Sequence, residues 1–412
     1  MRMADLVVIG GGAAGLMAAS TAAMYGKQVV LLERNDRVGK KILITGKGRC
    51  NVTNNSDLQN LIAHVPKNGK FLYSAFSQFS AEDAISFFES LGVPLKTERG
   101  NRVFPVSDRA GDIVSCLERY CKDCGVKLLH KRAKKVLTEK NKIVGVKTTT
   151  EEVIPCHAVV VATGGKSYPR TGSTGDGYLI AEKLGHCITP VTASLVPIET
   201  NPQDGCKEMM GLSLRNVTLT VTKTGSKQVV YSQMGEMLFT HFGISGPLVL
   251  SASSHMREMQ PGKYRMEIDL KPALSPEQLD ARLIRDFSEK SNKDFINLLR
   301  GLLPAKMVPV MAKRSGIPFD LKGNQITREM RERLCYLFKH FELTPERFRP
   351  VEEAIITSGG VDVSQVNPKT MESKIQSGLY FAGEILDVDA YTGGYNLQIA
   401  WSTGYLAGLN AE

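Results

Sequence analysis

Cysteine is sparse in this chain of 412 residues, and long apolar runs are missing from it. The eight cysteines are scattered at positions 50, 116, 121, 124, 156, 187, 206 and 335, which in a chain this long is no disulfide framework. Cys121-Lys-Asp-Cys124 is a CxxC with no second CxxC or histidine pair nearby, so no metal site is expected. It is read as two cysteines of one helix rather than a redox pair. No apolar stretch approaches membrane-spanning length. No charged, cleavable leader precedes the first apolar run, so the expectation is a cytoplasmic protein without membrane insertion. There is no internal repeat, and no residue pattern speaks to the oligomeric state.

Lys and Arg outnumber Asp and Glu by 52 to 42, a formal net charge of +10. The basic residues are spread along the chain, with one small cluster at His130 to Lys135. The excess is therefore read as a basic surface serving an anionic cofactor or small-molecule substrate, not a nucleic-acid partner. The length suits two or three domains with their own cores.

What is present is concentrated at the N-terminus. An apolar run, Leu6 to Ile9, ends in Gly10-Gly11-Gly12-Ala13-Ala14-Gly15. A small-residue helix follows over Leu16 to Tyr25, stopped by Gly26, and a second apolar run from Gln28 to Leu32 ends at Glu33. This is a βαβ unit with the glycine spacing of a dinucleotide cradle. Gly10 allows the tight turn, Gly12 lets backbone approach a pyrophosphate, and Gly15 lets helix and strand pack closely. The helix N-terminus offers free N–H groups and a positive dipole end. Glu33 is placed to accept from ribose hydroxyls, and an acid there disfavours a 2′-phosphate. NAD and FAD share such a cradle.

Further along, Val38 to Asn51 is a basic, glycine-rich loop with few helix signals. Helices are predicted over 81–92 and 111–124, a hairpin over 92–104, and strands over 126–130, 133–138 and 143–148. His157-Ala-Val-Val-Val-Ala-Thr-Gly-Gly165 reads as a buried parallel strand that brings backbone close to the dinucleotide. A helix over 176–185 follows. From Thr192 to Leu270 the chain is β-rich, with strands predicted at 216–222, 228–232, 236–239 and 264–270. From Ser275 to Phe341 it is helical, opened by the Ser-Pro-Glu-Gln start at 275. The C-terminal stretch returns to the opening style. Gly378 to Glu384 is a short strand ending in Phe-Ala-Gly-Glu, Asp389 to Asn396 is a glycine-rich loop, and a small-residue helix closes the chain.

That last stretch separates FAD from NAD. A second helix N-terminus, after Gly393-Gly394-Tyr395-Asn396, suits the flavin edge where negative charge develops on reduction. The set of N-terminal cradle with acid, middle Ala-Thr-Gly and C-terminal Phe-Ala-Gly-Glu resembles the two-dinucleotide-binding flavoproteins. Thr171 to Tyr178 is similar to a Thr-Gly-Asp-Gly stretch of the fumarate reductase group. Thr45-Gly-Lys-Gly-Arg-Cys-Asn51, Phe242-Gly-Ile-Ser-Gly-Pro247, Thr357-Ser-Gly-Gly-Val-Asp362 and Tyr391-Thr-Gly-Gly-Tyr-Asn396 together resemble the BaiN/RdsA family of NAD(P)/FAD-dependent oxidoreductases. The resemblance implies an α/β fold, with a Rossmann-type FAD domain interrupted by a β-barrel-like domain and a helical domain. The expected boundaries are 1–190 with 346–412 for the discontinuous FAD domain, 191–274 for the β-rich insertion and 275–345 for the helical one. One branch of the family is associated with reduction of steroid-like enone double bonds.

The expected cofactor contacts start with Gly10, Gly12, Ala13, Ala14 and Gly15 in the first turn, then Glu33 and Arg34 after the second strand. Lys41, Gly46, Arg49, Cys50 and Asn51 come from the basic loop, Val136 from the 133–138 strand, and Ala162, Thr163 and Gly164 from the middle motif. Gly383, Glu384, Gly394, Tyr395, Asn396 and Leu397 complete the set. No residue is assigned the catalysis. His241 is a candidate proton donor by its pKa range, Tyr395 a candidate acid or flavin-packing ring, and Cys50, lacking a second cysteine beside it, a packing or tuning residue. No second GxGxxG unit lies between 165 and 350, so NAD(P)H, if the reductant, docks transiently. The expected function is hydride transfer between flavin N5 and a small organic substrate, an enone-type C=C or an amine or carbonyl compound. The alternatives are a flavin-dependent RNA-modifying enzyme and a non-catalytic flavin redox sensor.

Overall fold

A computed structural model describes residues 3–226 and 228–412. They divide into two compact units, Met1–Ser194 with Val351–Glu412, and Leu195–Pro350.

The main sheet of the first unit is ordered Lys127–Leu129, Val29–Leu32, Ala4–Ile9, Val153–Val161, Lys142–Thr148, Ala133–Glu139, and Leu379–Phe381 also pairs with Val153–Val161. The strands from Lys127–Leu129 to Leu379–Phe381 are parallel neighbours. The apolar runs of Ala4–Ile9, Val29–Leu32 and Leu379–Phe381, and Ala158 to Val161, are buried, as central parallel strands require. The remaining strands form an antiparallel meander. Ile9 pairs with Leu32 and with Val161, and Val161 with Phe381, so four strands end level at their carboxyl edge. Open α/β sheets bind ligands outside that edge.

Two helices cover this sheet where it matters for the site. Ala13–Met24 and Tyr395–Asn410 are buried nearly all round, and small residues let their backbones meet. A Cβ on Gly404 would lie 2.5 Å from the Ala14 carbonyl oxygen, and one on Gly408 would lie 2.3 Å from that of Ala18. The C-terminal helix is thereby locked to the N-terminal one. Residues 38–51, expected as a loop, contain the short helix Lys40–Ile44 followed by a tight turn over Thr45–Gly48.

In the second unit seven antiparallel strands are ordered Phe341–Leu343, Tyr264–Asp269, Ser213–Lys223, Val229–Phe239, Gly243–Ser245, Ile198–Thr200, Pro345–Phe348. Only Thr344 separates the first and last of these strands in sequence, which draws the sheet's two edges together. The strands predicted at 228–232 and 236–239 are one strand, because Gly235 continues the ladder opposite Val217. The helix Pro276–Glu289 opens with a capping box between Ser275 and Gln278. Leu279, Leu283, Phe295, Leu334 and Phe338 from the helical stretch share one core with Leu219, Val221, Met266 and Ile268 from the sheet. The β-rich and helical stretches, expected as two inserted domains, lie here around a single core.

Candidate functional site

A cleft of about 200 Å³ opens at the carboxyl edge of the first unit's sheet, lined by Gly10, Gly12, Glu33, Thr163, Gly383 and Asn396 among others. The first turn builds its floor. Gly10 has φ +108°, and a Cβ there would sit 2.5 Å from the Ala162 carbonyl oxygen. A Cβ on Gly15 would sit 1.8 Å from the Gly10 carbonyl oxygen, so helix and turn touch through backbone. Gly12 differs: nothing lies within 4 Å of its absent Cβ, and it faces the cleft. Gly12 caps the Ala13–Met24 helix without a side-chain bond, leaving first-turn N–H groups free. Such a terminus is an anion cradle.

The Glu33 carboxylate is already engaged. Its Oε2 accepts from Gly11 N–H at 2.8 Å, and its Oε1 from the backbone N–H and Nδ2 of Asn35, both at 2.7 Å. Of roughly four acceptor positions on a carboxylate, one remains.

Glu384 holds the centre of the cleft. It accepts from Lys41 Nζ at 2.5 Å, Thr357 N–H at 2.9 Å, Thr357 Oγ1 at 3.0 Å and Ser167 Oγ at 3.4 Å. Lys41 also donates to Ser167 Oγ at 2.7 Å. Both charges are largely shielded from water, and each compensates the other. At one end of the cleft Arg132 grips Asp176 through Nε and Nη2, both at 2.7 Å, and Arg34 adds a bond at 3.2 Å. The Arg132 fork holds the Asp176 carboxyl below the usual range.

The C-terminal loop supplies the other helix terminus. Asn396 Oδ1 accepts from Ala390 N–H at 2.8 Å and its Nδ2 donates to the Ala390 carbonyl at 2.7 Å, so this side chain closes the loop. Gly394 caps Tyr395–Asn410 without a side-chain bond, again leaving N–H groups free. Asn396 and Leu397 line the cleft.

Of the expected contacts, Gly10, Gly12, Ala13, Ala14, Glu33, Arg34, Lys41, Ala162, Thr163, Gly164, Gly383, Glu384, Asn396 and Leu397 line this one cleft. Gly15 lies behind it as a packing position. Gly46, Arg49, Cys50, Asn51, Val136, Gly394 and Tyr395 are not in the lining. Arg49 is drawn away by Glu98 and Asp108, each at 2.5 Å, and stacks on Phe104 at 4.1 Å. Val136 is a buried meander residue, and its neighbour Ala133 reaches the cleft instead. Asn51 Oδ1 and Thr163 Oγ1 are buried with no hydrogen-bond partner.

The three catalytic candidates differ in access. Cys50 is fully buried, and burial pushes its thiol up to about 12, so no thiolate forms near neutrality. Tyr395 is buried, stacks on His64 at 4.3 Å and donates to Asn60 Oδ1 at 3.4 Å, and burial raises its phenol. His241, in the second unit, is exposed and packs edge-on against Phe242. Lys131, Arg132, Asp176 and Ile356 line the cleft although they were not among the expected contacts. The Thr-Gly-Asp-Gly run pointed to Asp176, whereas Arg132 was hidden inside a cluster read as surface charge.

Residues 4–410 match the family model described as the HI0933-like protein Rossmann domain. The chain is 32% identical over 408 residues to the 3-dehydro-bile acid delta(4,6)-reductase of Clostridium scindens, covering 98% of both. It is 35% identical over 414 residues to the ribosomal RNA dihydrouridine synthase of Haemophilus influenzae, covering 99% of this chain and 98% of that protein. Its fold is similar to a flavocytochrome c3 fumarate reductase, with a TM-score of 0.53 at 17% identity over 99% of this chain and 78% of the other. Among the described residues no helix is long and apolar enough to cross a membrane.

Proposed function

The chain belongs to the HI0933-like Rossmann family, and on that premise we propose that it is an FAD-dependent oxidoreductase that saturates a carbon–carbon double bond conjugated to a carbonyl. The observation that carries this reading is the cleft, with two uncapped helix N-termini and the Lys41–Glu384 pair at one carboxyl edge. Its residues fit FAD. Gly12 and the first turn of Ala13–Met24 suit the pyrophosphate, and the remaining acceptor position of Glu33 suits a ribose hydroxyl. The orphaned Thr163 Oγ1 lacks a partner that a ligand in the cleft would supply. The N–H groups of Asn396 and Leu397 suit the flavin's pyrimidine edge. Bound FAD supplies the hydride-transfer chemistry.

The relatives' names support the substrate class. A 3-keto steroid with Δ4 and Δ6 double bonds and a uracil ring share a C=C conjugated to a carbonyl. Saturating it places one hydride and one proton on adjacent carbons. The two electrons are restored by NAD(P)H, docking without a βαβ unit of its own, in the cytoplasm. A second reading puts the reduced ring on RNA, favoured by the 35%-identical relative and the net charge of +10. The test offers the purified protein, with NADH or NADPH and no oxygen, either a steroid 4-en-3-one or uridine-containing ribosomal RNA. Saturation of the steroid alone supports a small-molecule substrate, and saturation of the RNA alone supports the second reading. A protein that neither carries nor binds FAD refutes both.

A further inference from the structure

A small hairpin of the first unit stands beside the C-terminal loop and takes no part in the cleft described above. Its strands Leu95–Glu98 and Arg102–Pro105 pair antiparallel, and Thr53–Asn54 pairs with the second of them. Gly100 and Asn101 make the turn in left-handed conformations, at φ +76° and +57°. The buried Asn54 side chain ties this tip to the C-terminal loop. Its Nδ2 donates to the Gly100 carbonyl at 3.0 Å and to the Gly393 carbonyl at 2.9 Å. The same stretch is locked to the helix Tyr395–Asn410. Trp401 Nε1 donates to the Val52 carbonyl at 2.9 Å and Thr53 Oγ1 to Gln398 Oε1 at 2.6 Å, and a Cβ on Gly394 would lie 2.3 Å from the Thr53 carbonyl. The tip is thus a fixed neighbour of the helix terminus assigned to the flavin's pyrimidine edge.

Arg99 and Arg102 flank that tip. Arg102 Nε donates to the Arg99 carbonyl at 3.0 Å, which holds its guanidinium beside the turn. The nearby acids are already engaged. Glu98 accepts from Arg49 at 2.5 Å, and Asp108 accepts from Arg49 at 2.5 Å and from Lys96 at 2.8 Å. Arg49 and Arg102 share the Phe104 ring, at 4.1 and 5.9 Å from its centre. Arg99 and Arg102 are exposed, and among the described residues neither is ion-paired. Neither lines the cleft.

We propose that Arg99 and Arg102 seat the diphosphate of a nicotinamide dinucleotide, the reductant that docks without a βαβ unit of its own. The inference rests on the functional reading given above and deepens it by placing the reductant. The phosphates of FAD are assigned to the first turn of Ala13–Met24, so they make no use of this pair. A steroid 4-en-3-one brings no phosphate. A molecule that reaches the flavin from outside the cleft with two adjacent phosphates matches two adjacent guanidinium forks held beside the flavin loop.

The test is anaerobic stopped-flow reduction of the FAD-loaded protein over a range of NADH and NADPH concentrations, followed in the flavin's visible band. Each saturation curve gives an apparent Kd and a limiting rate. Wild type is compared with R99A/R102A, with R99K/R102K, and with K122A/K127A. The last is an equal charge loss at the far end of the helix Ala110–Asp123 and in the strand after it. The alanine pair is expected to raise the Kd at least about tenfold with the limiting rate within about twofold, as the loss of hydrogen bonds between charged groups does. The lysine pair keeps the charge without the fork and is expected to fall between the alanine pair and wild type, whereas K122A/K127A is expected to match wild type. An unchanged Kd in the alanine pair overturns the site, and so does an equal rise in K122A/K127A or a fall in the limiting rate alone. Reduced protein is also mixed with uridine-containing ribosomal RNA and with the steroid. A defect of the alanine pair confined to the RNA step makes the hairpin a substrate contact and overturns the assignment. Wild type that neither nicotinamide reduces, but that saturates either substrate after dithionite reduction, refutes this site and leaves the double-bond reading standing. Wild type that shows the expected arginine dependence yet saturates neither substrate refutes that reading and leaves this site standing.

Discussion

Gly12 and Gly15 lie three residues apart in the same turn, and the structure predicts opposite consequences for the same added methyl. In Gly15→Ala the new Cβ would sit 1.8 Å from the Gly10 carbonyl oxygen and 3.0 Å from its carbon, both backbone atoms. Ordinary contact needs more than 3 Å, so turn and helix must part by over 1 Å. Overpacking of that kind costs about 1–3 kcal/mol, and it falls on the protein with or without ligand. In Gly12→Ala nothing lies within 4 Å of the new Cβ, and the backbone is extended at φ −88° and ψ −166°. The ligand-free protein should then change by less than about 1 kcal/mol, the scale of an N-cap exchange. The methyl instead occupies the space assigned to the pyrophosphate. Urea unfolding of the FAD-free proteins and FAD titration by flavin fluorescence separate the two. G15A is expected to lose stability, and G12A to keep it while binding FAD at least tenfold more weakly. A G12A protein that binds FAD as wild type, or a G15A protein as stable as wild type, refutes the reasoning.

Glu384→Ala should leave the Lys41 ammonium shielded without its counter-charge; a loss of about 1–3 kcal/mol is expected in urea unfolding, with weakened FAD binding. Cys50→Ala should leave flavin reduction unchanged, because the buried thiol at about 12 supplies no thiolate. Mass spectrometry after brief iodoacetamide treatment should find the exposed Cys187 modified and Cys50 untouched. His186 is buried against Ser373 Oγ at 2.8 Å, and burial lowers its pKa below the unfolded value of about 6.5. Its stabilising contribution is therefore complete above that value and lost as pH falls through the folded pKa. Melting temperatures between pH 7 and 5 should fall less steeply for His186→Gln than for wild type.

Where local chemistry determines structure, the sequence was readable. The turn from Gly10 to Gly15 and Glu33 were placed by their spacing, and the helix start at Ser275 by its Ser-Pro-Glu-Gln residue types. The closing loop was read from the Asp-Ala-Tyr-Thr-Gly-Gly-Tyr-Asn run at 389–396. Contacts made through tertiary partners were not readable. Arg49 looked like a cofactor contact because no local signal reveals Glu98 and Asp108 folding back onto it. Arg132 looked like surface charge because its partner, Asp176, is 44 residues away. Gly235 looked like a strand end, since only the ladder opposite Val217 shows that the strand continues.

The central claim is that bound flavin passes hydride to a carbonyl-conjugated double bond. The most direct measurement reduces the FAD-loaded protein without oxygen, mixes it with a steroid 4-en-3-one or with uridine-containing ribosomal RNA, and follows the flavin's visible absorbance. The account predicts that the oxidised band returns with one of the two, with one double bond saturated per flavin. A flavin that stays reduced in the presence of both contradicts it.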